Sequence, residues 1–354
     1  MDYQLKEISD RILDGRRISD EDYLALESGA DLYQLGSLAG HVRNRLHPDN
    51  LVTYVIDRNI NYTDICISGC KFCAFYTDGD NGSGYLLSFA EIVEKINETQ
   101  RVGGTQILLQ GGLHPTQPLE YYEEMVSCIK DTGIHLHGFS PPEIVHFSQL
   151  AGLSTRTVLL RLMEAGLDSI PGGGAEILND RVRKAIAPDK CSASQWLKVM
   201  EEAHSLGLPT TATMMFGHIE TEEERLEHLS RLRDLQDRTG GFTSFIPWPF
   251  QPGNTPLNHI KKSSGIGYLR MLALSRIYLD NFHNIQASWV TQGPKIAQIA
   301  LSFGANDFGS TMIEENVVAA AGVTFRLSEN EIKRLVADAG FEPAQRLMNY
   351  SLVS

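Results

Sequence analysis

NINYTDICISGCKFCAFY (59–76) places three thiols at Cys66, Cys70 and Cys73, a C-x3-C-x2-C spacing. Thiolates are soft donors suited to iron–sulfur clusters, and a loop this short can direct three of them at one cuboidal cluster. A closed structural cluster takes a fourth protein thiolate. Three leave one iron open, which a cluster needs if it is to bind and activate a small molecule. The competing readings are a structural zinc site and three unrelated buried thiols. Zinc takes four ligands, often as two separated pairs, and no second pair occurs in the chain. Cys128 falls in a helical stretch beside Met125 and Ile129 and reads as a buried thiol. Cys191 sits in a helix-start loop, DKCSASQW.

Outward from this loop, short β-branched runs alternate with longer amphipathic ones. Strands are predicted at Val52–Asp57, Thr105–Leu109, Ile134–Phe139, Ser169–Pro171, Pro209–Met214, Thr243–Ile246 and Ile285–Trp289, with a short eighth near Gly304–Asp307. Ser88 with Glu91, and Thr221 with Glu224, form capping-box patterns that open two of the intervening helices. Repeated strand–helix units imply a parallel sheet with right-handed crossovers, and eight of them predict an α/β fold, a (β/α)8 TIM-type barrel. The cysteine loop then lies on the face where such barrels place their chemistry. Before the barrel, Leu5, Ile8 and Ile12 share a helical face, and a second amphipathic stretch runs from Tyr23 to Leu46. After it, Ser328 and Glu331 open a last helix that Gly340 ends. The expected division is an N-terminal helical extension (1–50), a core (51–310) and a C-terminal helical extension (311–354).

The chain has 354 residues, of which 42% are hydrophobic and 21% charged, ordinary values for a globular protein. Its formal net charge of −13 argues against a nucleic-acid surface, which needs clustered Lys and Arg. A small anionic substrate is compatible with one local pocket opposing the global field. With no signal-peptide stretch at the N-terminus and no run of 18 apolar residues, no membrane association and a cytoplasmic location are expected.

With Phe72 before the last cysteine, the loop resembles that of the radical S-adenosylmethionine (SAM) superfamily. The resemblance implies a 4Fe–4S cluster on Cys66, Cys70 and Cys73, with SAM chelating the open iron. It also implies an electron donor such as flavodoxin or ferredoxin. Further segments fall where that superfamily holds SAM. Gln110, Gly111 and Gly112 resemble its GGE-type segment for the methionyl amine, although no acid follows the glycines here. Ser140 and Glu143 in FSPPE (139–143) are expected to face SAM or substrate, or to cap a helix. Glu176 opens a helix that brings Arg183 onto the same face, and the resemblance places both against SAM, with Arg183 forking onto its carboxylate.

DRNINYT (57–63), QILLQGGLHP (106–115), LDSIPGGGAEIL (167–178), FIPWPFQPGNTPL (245–257) and GANDFGSTMIEENVV (304–318) extend the resemblance. They are similar to the subgroup that makes menaquinone (futalosine-pathway) and deazaflavin precursors, and within it to the futalosine-pathway cyclases. Asp64 and Thr77 depart from that pattern, standing where Asn and Arg are expected. The implied substrate is nucleoside-type, a ribose joined to a carboxylated aromatic ring. Hydrogen would leave the ribose 4′ carbon, and the carbon radical would add to the ring. Aminofutalosine synthase and deazaflavin-precursor synthase chemistry are the alternatives. A base and a carboxylate binder are needed. The candidates for the base are His218 in MFGHIE (215–220), Asp307 and Tyr62. Asn59, Gln251, Thr291, Asn306 and Glu314 are polar positions near predicted strand ends and are candidates for the substrate pocket.

Overall fold

The run read as one strand before the cysteine loop is two, β1 (Leu51–Val55) and β2 (Asp57–Asn61). They come from a computed structural model, which describes residues 3–78 and 84–353. Met1, Asp2 and Ser354, at the edges of the expected extensions, lie outside the described residues. The strands that follow are β3 (Gln106–Gln110), β4 (His135–Gly138), β5 (Thr210–Phe216), β6 (Phe242–Pro249), β7 (Asn284–Ile285), β8 (Asp307–Ser310) and β9 (Glu342–Gln345). They form three parallel sheets, ordered β8-β1-β9, β2-β3-β4 and β5-β6-β7. Isolated parallel bridges continue the pairing between sheets, His137 to Ser169, Ile170 to Thr210, and Gln286 to Asp307. Parallel neighbours need crossover connections, and helices supply most of them, which makes an α/β domain.

Period-two alternation sorts the residues of β2 and β3. Ile60, Ile107 and Leu109 join the apolar core with Ile92, Ile96, Tyr122 and Val126. The alternate set, Asp57, Asn59, Gln106, Leu108 and Gln110, lines an internal cavity.

Several expectations change. The fourth strand, Ser169–Pro171, is reduced to its two bridges, because Pro171 has no N–H to give and Gly172, Gly173 and Gly174 follow it. The run Ile285–Trp289 is strand only at its start, and Trp289 opens a short helix instead. The single stretch Tyr23–Leu46 breaks at Ala30, which is extended, after which Asp31 caps a new helix over Leu32–Leu46. The C-terminal segment, expected to be helical, also supplies β9 beside β1. The capping boxes of Ser88, Thr221 and Ser328 all form.

Candidate functional site

The cysteine loop is anchored by its backbone. Cys66 N–H donates to Thr77 O, Ile67 N–H to Leu113 O, Lys71 N–H to Ile186 O and Cys73 N–H to Cys70 O. Cys70 is buried, and Cys66 and Cys73 are partly so. Burial pushes the Cys66 and Cys73 thiols up, against backbone N–H groups of Leu113 and Ser68 facing the first and of Phe75 and Tyr76 facing the second. Ser68 Oγ lies 3.2 Å from Cys70 Sγ. As thiolates, all three sulfurs would have hydrogen-bond donors within reach, the Ser68 hydroxyl among them, the surroundings that suit a cluster thiolate. Among the described residues no three His, Cys, Asp or Glu side chains converge as ligands of one metal ion do. A cuboidal cluster instead spreads its thiolates over separate irons, and the residues present fit that group.

Asp64 and Thr77, the two departures, both serve the loop. Thr77 N–H donates to Asp64 O, and Asp64 Oδ1 accepts from Tyr85 N–H at 2.8 Å.

The paired glycines are needed for packing. A Cβ on Gly111 would stand 2.5 Å from the Tyr62 ring, and one on Gly112 only 2.1 Å from Ile65 O and 2.9 Å from Cys66 Cβ. Gly112 thus seats the cysteine loop against the end of β3. Glu143 is buried and fully engaged, accepting from Tyr62 Oη (2.7 Å), Gly111 N (3.1 Å), Ser140 N (2.7 Å) and Ser140 Oγ (2.6 Å). Ser140 is the helix cap of the alternative reading. Neither side chain reaches the cavity; together they brace the glycine turn beside the cysteines.

Arg183 does not take the position expected of it. All five of its N–H donors are occupied: Nε and Nη2 by Cys191 O (2.9 and 2.6 Å), Nη1 by Gly174 O (3.1 Å) and Ala175 O (2.7 Å), and Nη2 again by Cys191 Sγ (3.7 Å). Buried and saturated, it has no fork to offer a carboxylate and instead clamps two loop segments together. Those segments carry Glu176 and Lys190, whose side chains pair at 2.6 Å. Lys190, absent from the sequence reading, also lies over the Phe72 ring, 5.0 Å from its centroid. Burial works against its charge, but the attraction of Cys70 and Glu176 prevails and holds Lys190 protonated above its ordinary range.

The cavity encloses about 300 Å³. Of the expected substrate residues, Asn59 and Thr291 line it, as does Gln110 from the expected SAM set. Asp57, Gln106, His137, Trp248, Trp289 and Arg346 complete much of its wall and were not anticipated. A legible signal existed for some of them, because the polar first, third and fifth residues of DRNIN and the polar ends of QILLQ mark one face of a strand. Two buried acceptors here lack partners, Asn59 Oδ1 and Gln106 Oε1. The Gln106 amide is oriented by chemistry, since its Nε2–H donates to Asp57 Oδ2 at 2.8 Å and leaves Oε1 as the unpaired end. His137, whose Nδ1 is 2.8 Å from Ser169 Oγ, is kept neutral by burial, its pKa pushed down to about 3.

The three candidate bases are each engaged elsewhere. Tyr62 is buried under Gly111, donates to Glu143, and has its hydroxyl pKa driven well above 10 by burial. His218 folds into its own turn, with Nε2 at 3.0 Å from Met215 O and Nδ1 accepting from Ile219 N–H at 2.8 Å. Asp307 sits at the start of β8, the end opposite to strand-end chemistry, ion-paired with Arg346 and accepting from Thr53 Oγ1 at 2.6 Å.

Three expected substrate residues also stand outside the cavity wall. Asn306 knits strands, accepting from Arg276 Nη2 (2.6 Å) and donating to Asn284 Oδ1 (2.9 Å). Gln251 donates to Pro249 O at 2.8 Å, and Glu314 pairs with Lys95 at 2.7 Å.

The model of the radical SAM superfamily matches residues 60–232, and that of the CofH/MqnC C-terminal region matches 239–354. The chain is 44% identical to a cyclic dehypoxanthine futalosine synthase of Halalkalibacterium halodurans, over 98% of this chain and 94% of that one. It is 43% identical to an aminodeoxyfutalosine synthase of Thermus thermophilus, over 98% and 95%. Among solved structures it is similar in fold to the FeFe-hydrogenase maturase HydG of Carboxydothermus hydrogenoformans, with a TM-score of 0.78, 18% identity, and 98% and 80% coverage. No helix among the described residues is long and apolar enough to cross a membrane.

Proposed function

The chain belongs to the radical SAM superfamily, in the family of cyclic dehypoxanthine futalosine synthase and aminodeoxyfutalosine synthase, and from that premise we propose that it is the cyclase that acts on dehypoxanthine futalosine in menaquinone biosynthesis. The end-to-end match to an enzyme of that name carries the reading. Cys66, Cys70 and Cys73 would hold a 4Fe–4S cluster, which with SAM and electrons from a flavodoxin or ferredoxin would supply radical chemistry. The same reading takes residues 51–310 as a (β/α)8 barrel, with 1–50 and 311–354 packed on it. The bridges at Ser169, Ile170 and Gln286 support it.

The residues of the cavity have the chemistry this substrate asks for. Unpaired buried acceptors are costly unless a donor arrives, and a hydroxyl of a base-free ribose is such a donor for Asn59 Oδ1, midway along β2. Trp248 and Trp289 offer apolar wall to the aromatic ring. Ring closure within one molecule needs no second reactant, so the pocket has only to hold sugar and ring together and exclude water.

Two results are expected. Substrate deuterated at the ribose 4′ carbon transfers one deuterium to 5′-deoxyadenosine, and mass spectrometry finds a cyclised product formed from that substrate alone. A product carrying the adenosyl group instead assigns the chain to the sibling synthase reaction. Asn59→Leu keeps the size but removes the unpaired acceptor midway along β2. It raises KM for this substrate about tenfold with kcat little changed, as the loss of one buried hydrogen bond predicts; an unchanged KM removes Asn59 from the binding site.

A further inference from the structure

A buried ammonium beside three cysteines is a feature that packing alone does not ask for. Lys190 and Glu176 keep only 16% and 6% of their side-chain surface exposed, so the pair sits out of water. Its place is fixed from three sides. Arg183 binds the carbonyls of Gly174, Ala175 and Cys191, adjoining both members of the pair. Lys71 N–H, inside the cysteine loop, donates 2.8 Å to Ile186 O, which ties that loop to the segment leading to Lys190. Phe72, between two of the cysteines, presents its ring face to the ammonium at 5.0 Å. This is far more anchoring than a chance ion pair receives, and it directs a positive charge at the loop.

We propose that Lys190 is a positioning residue for charge: held by Glu176 over Phe72, it faces the Cys66–Cys70–Cys73 assembly with a fixed cation and raises the reduction potential of the cluster bound there. Three thiolates on an oxidised 4Fe–4S core leave one net negative charge, and one added electron makes two. A cation nearby in a poorly screened site stabilises the more negative state more strongly. Glu176 opposes that effect and holds the ammonium in place. The two members of the pair therefore act on the potential with opposite sign, which a purely structural role would not do.

The inference rests on the proposed cluster and is independent of the substrate. The test is an EPR-monitored redox titration of the anaerobically reconstituted full-length protein and three variants. Lys190→Met is expected to lower the midpoint potential, Glu176→Gln to raise it, and Lys190→Arg to stay near the parent value. Shifts of the two charge-removing variants in the same direction, or of neither, overturn the proposal. Should Lys190→Met fail to hold a cluster, the other two variants decide. A raised potential in Glu176→Gln with Lys190→Arg unchanged supports it, and an unmoved Glu176→Gln overturns it. Failure of the parent protein itself to bind a cluster overturns the reading of the cysteines and this role together, whereas unmoved potentials in loaded variants overturn this role alone.

Discussion

Replacing Cys66, Cys70 or Cys73 by Ala is expected to reduce SAM cleavage to the uncatalysed background and to lower the iron and sulfide content of the reconstituted protein. Each thiol is met by its own donors, from Ser68 and Leu113 at Cys66, Ser68 Oγ at Cys70, and Phe75 and Tyr76 at Cys73. No neighbouring sulfur is placed to substitute for a missing one. Cys191 Sγ faces the Arg183 guanidinium, and Cys128 lies on the Leu119–Lys130 helix. Cys128→Ala and Cys191→Ala are accordingly expected to leave cluster content unchanged, because Cys191 holds Arg183 chiefly through its backbone carbonyl, which alanine keeps. Full SAM cleavage by any one of the three loop variants would sink the ligand assignment.

What could be read before the structure was whatever a short stretch of chain encodes by itself. Cysteine spacing and capping boxes are local patterns that hold, and strand–helix alternation holds except where the fourth strand is reduced to two bridges and the seventh is cut short. The glycine turn stands at the end of β3 as expected, and the tertiary fold adds a packing reason that the sequence does not carry: Gly111 and Gly112 make room for Tyr62 and for the cysteine loop. Asp307 and Asn306 were misplaced for a related reason. The run near the eighth strand was taken to end at Asp307, where β8 in fact begins, and a shift of three residues moves a side chain from one end of a short strand to the other.

Lys190 was passed over because a lone lysine in a polar loop is usually solvated. What makes it unusual is burial against Glu176, fourteen residues earlier in the chain, and against Phe72, which is much further away. In contrast, the polar alternation of Asp57, Asn59 and Asn61 was visible. Only Asn59 was taken from it, because a half-polar strand reads as half-solvated unless one knows that Asp57 and Asn59 meet a cavity.

Arg183→Lys is the substitution on which the structure and the resemblance disagree most sharply. Were Arg183 a direct ligand of the SAM carboxylate, lysine would keep the charge, lose the fork and weaken SAM binding while leaving the fold untouched. The observed contacts require something else. Lysine has three donors on one nitrogen and cannot reach Gly174 O, Ala175 O and Cys191 O together, so at least one buried carbonyl loses its partner. Unpaired buried groups of this kind, with charged hydrogen bonds lost, cost on the order of 3 kcal/mol. The protein without cluster or SAM is therefore expected to melt at a lower temperature. The loops bearing Glu176 and Lys190 should separate, and SAM affinity should fall only as a consequence. Calorimetry of the unloaded protein separates the two accounts. An unchanged melting temperature with weakened SAM binding would return Arg183 to the SAM site, whereas a lowered one, with cluster uptake impaired before SAM is added, fixes it as the clamp that presents Lys190 and Glu176 to the cysteine loop.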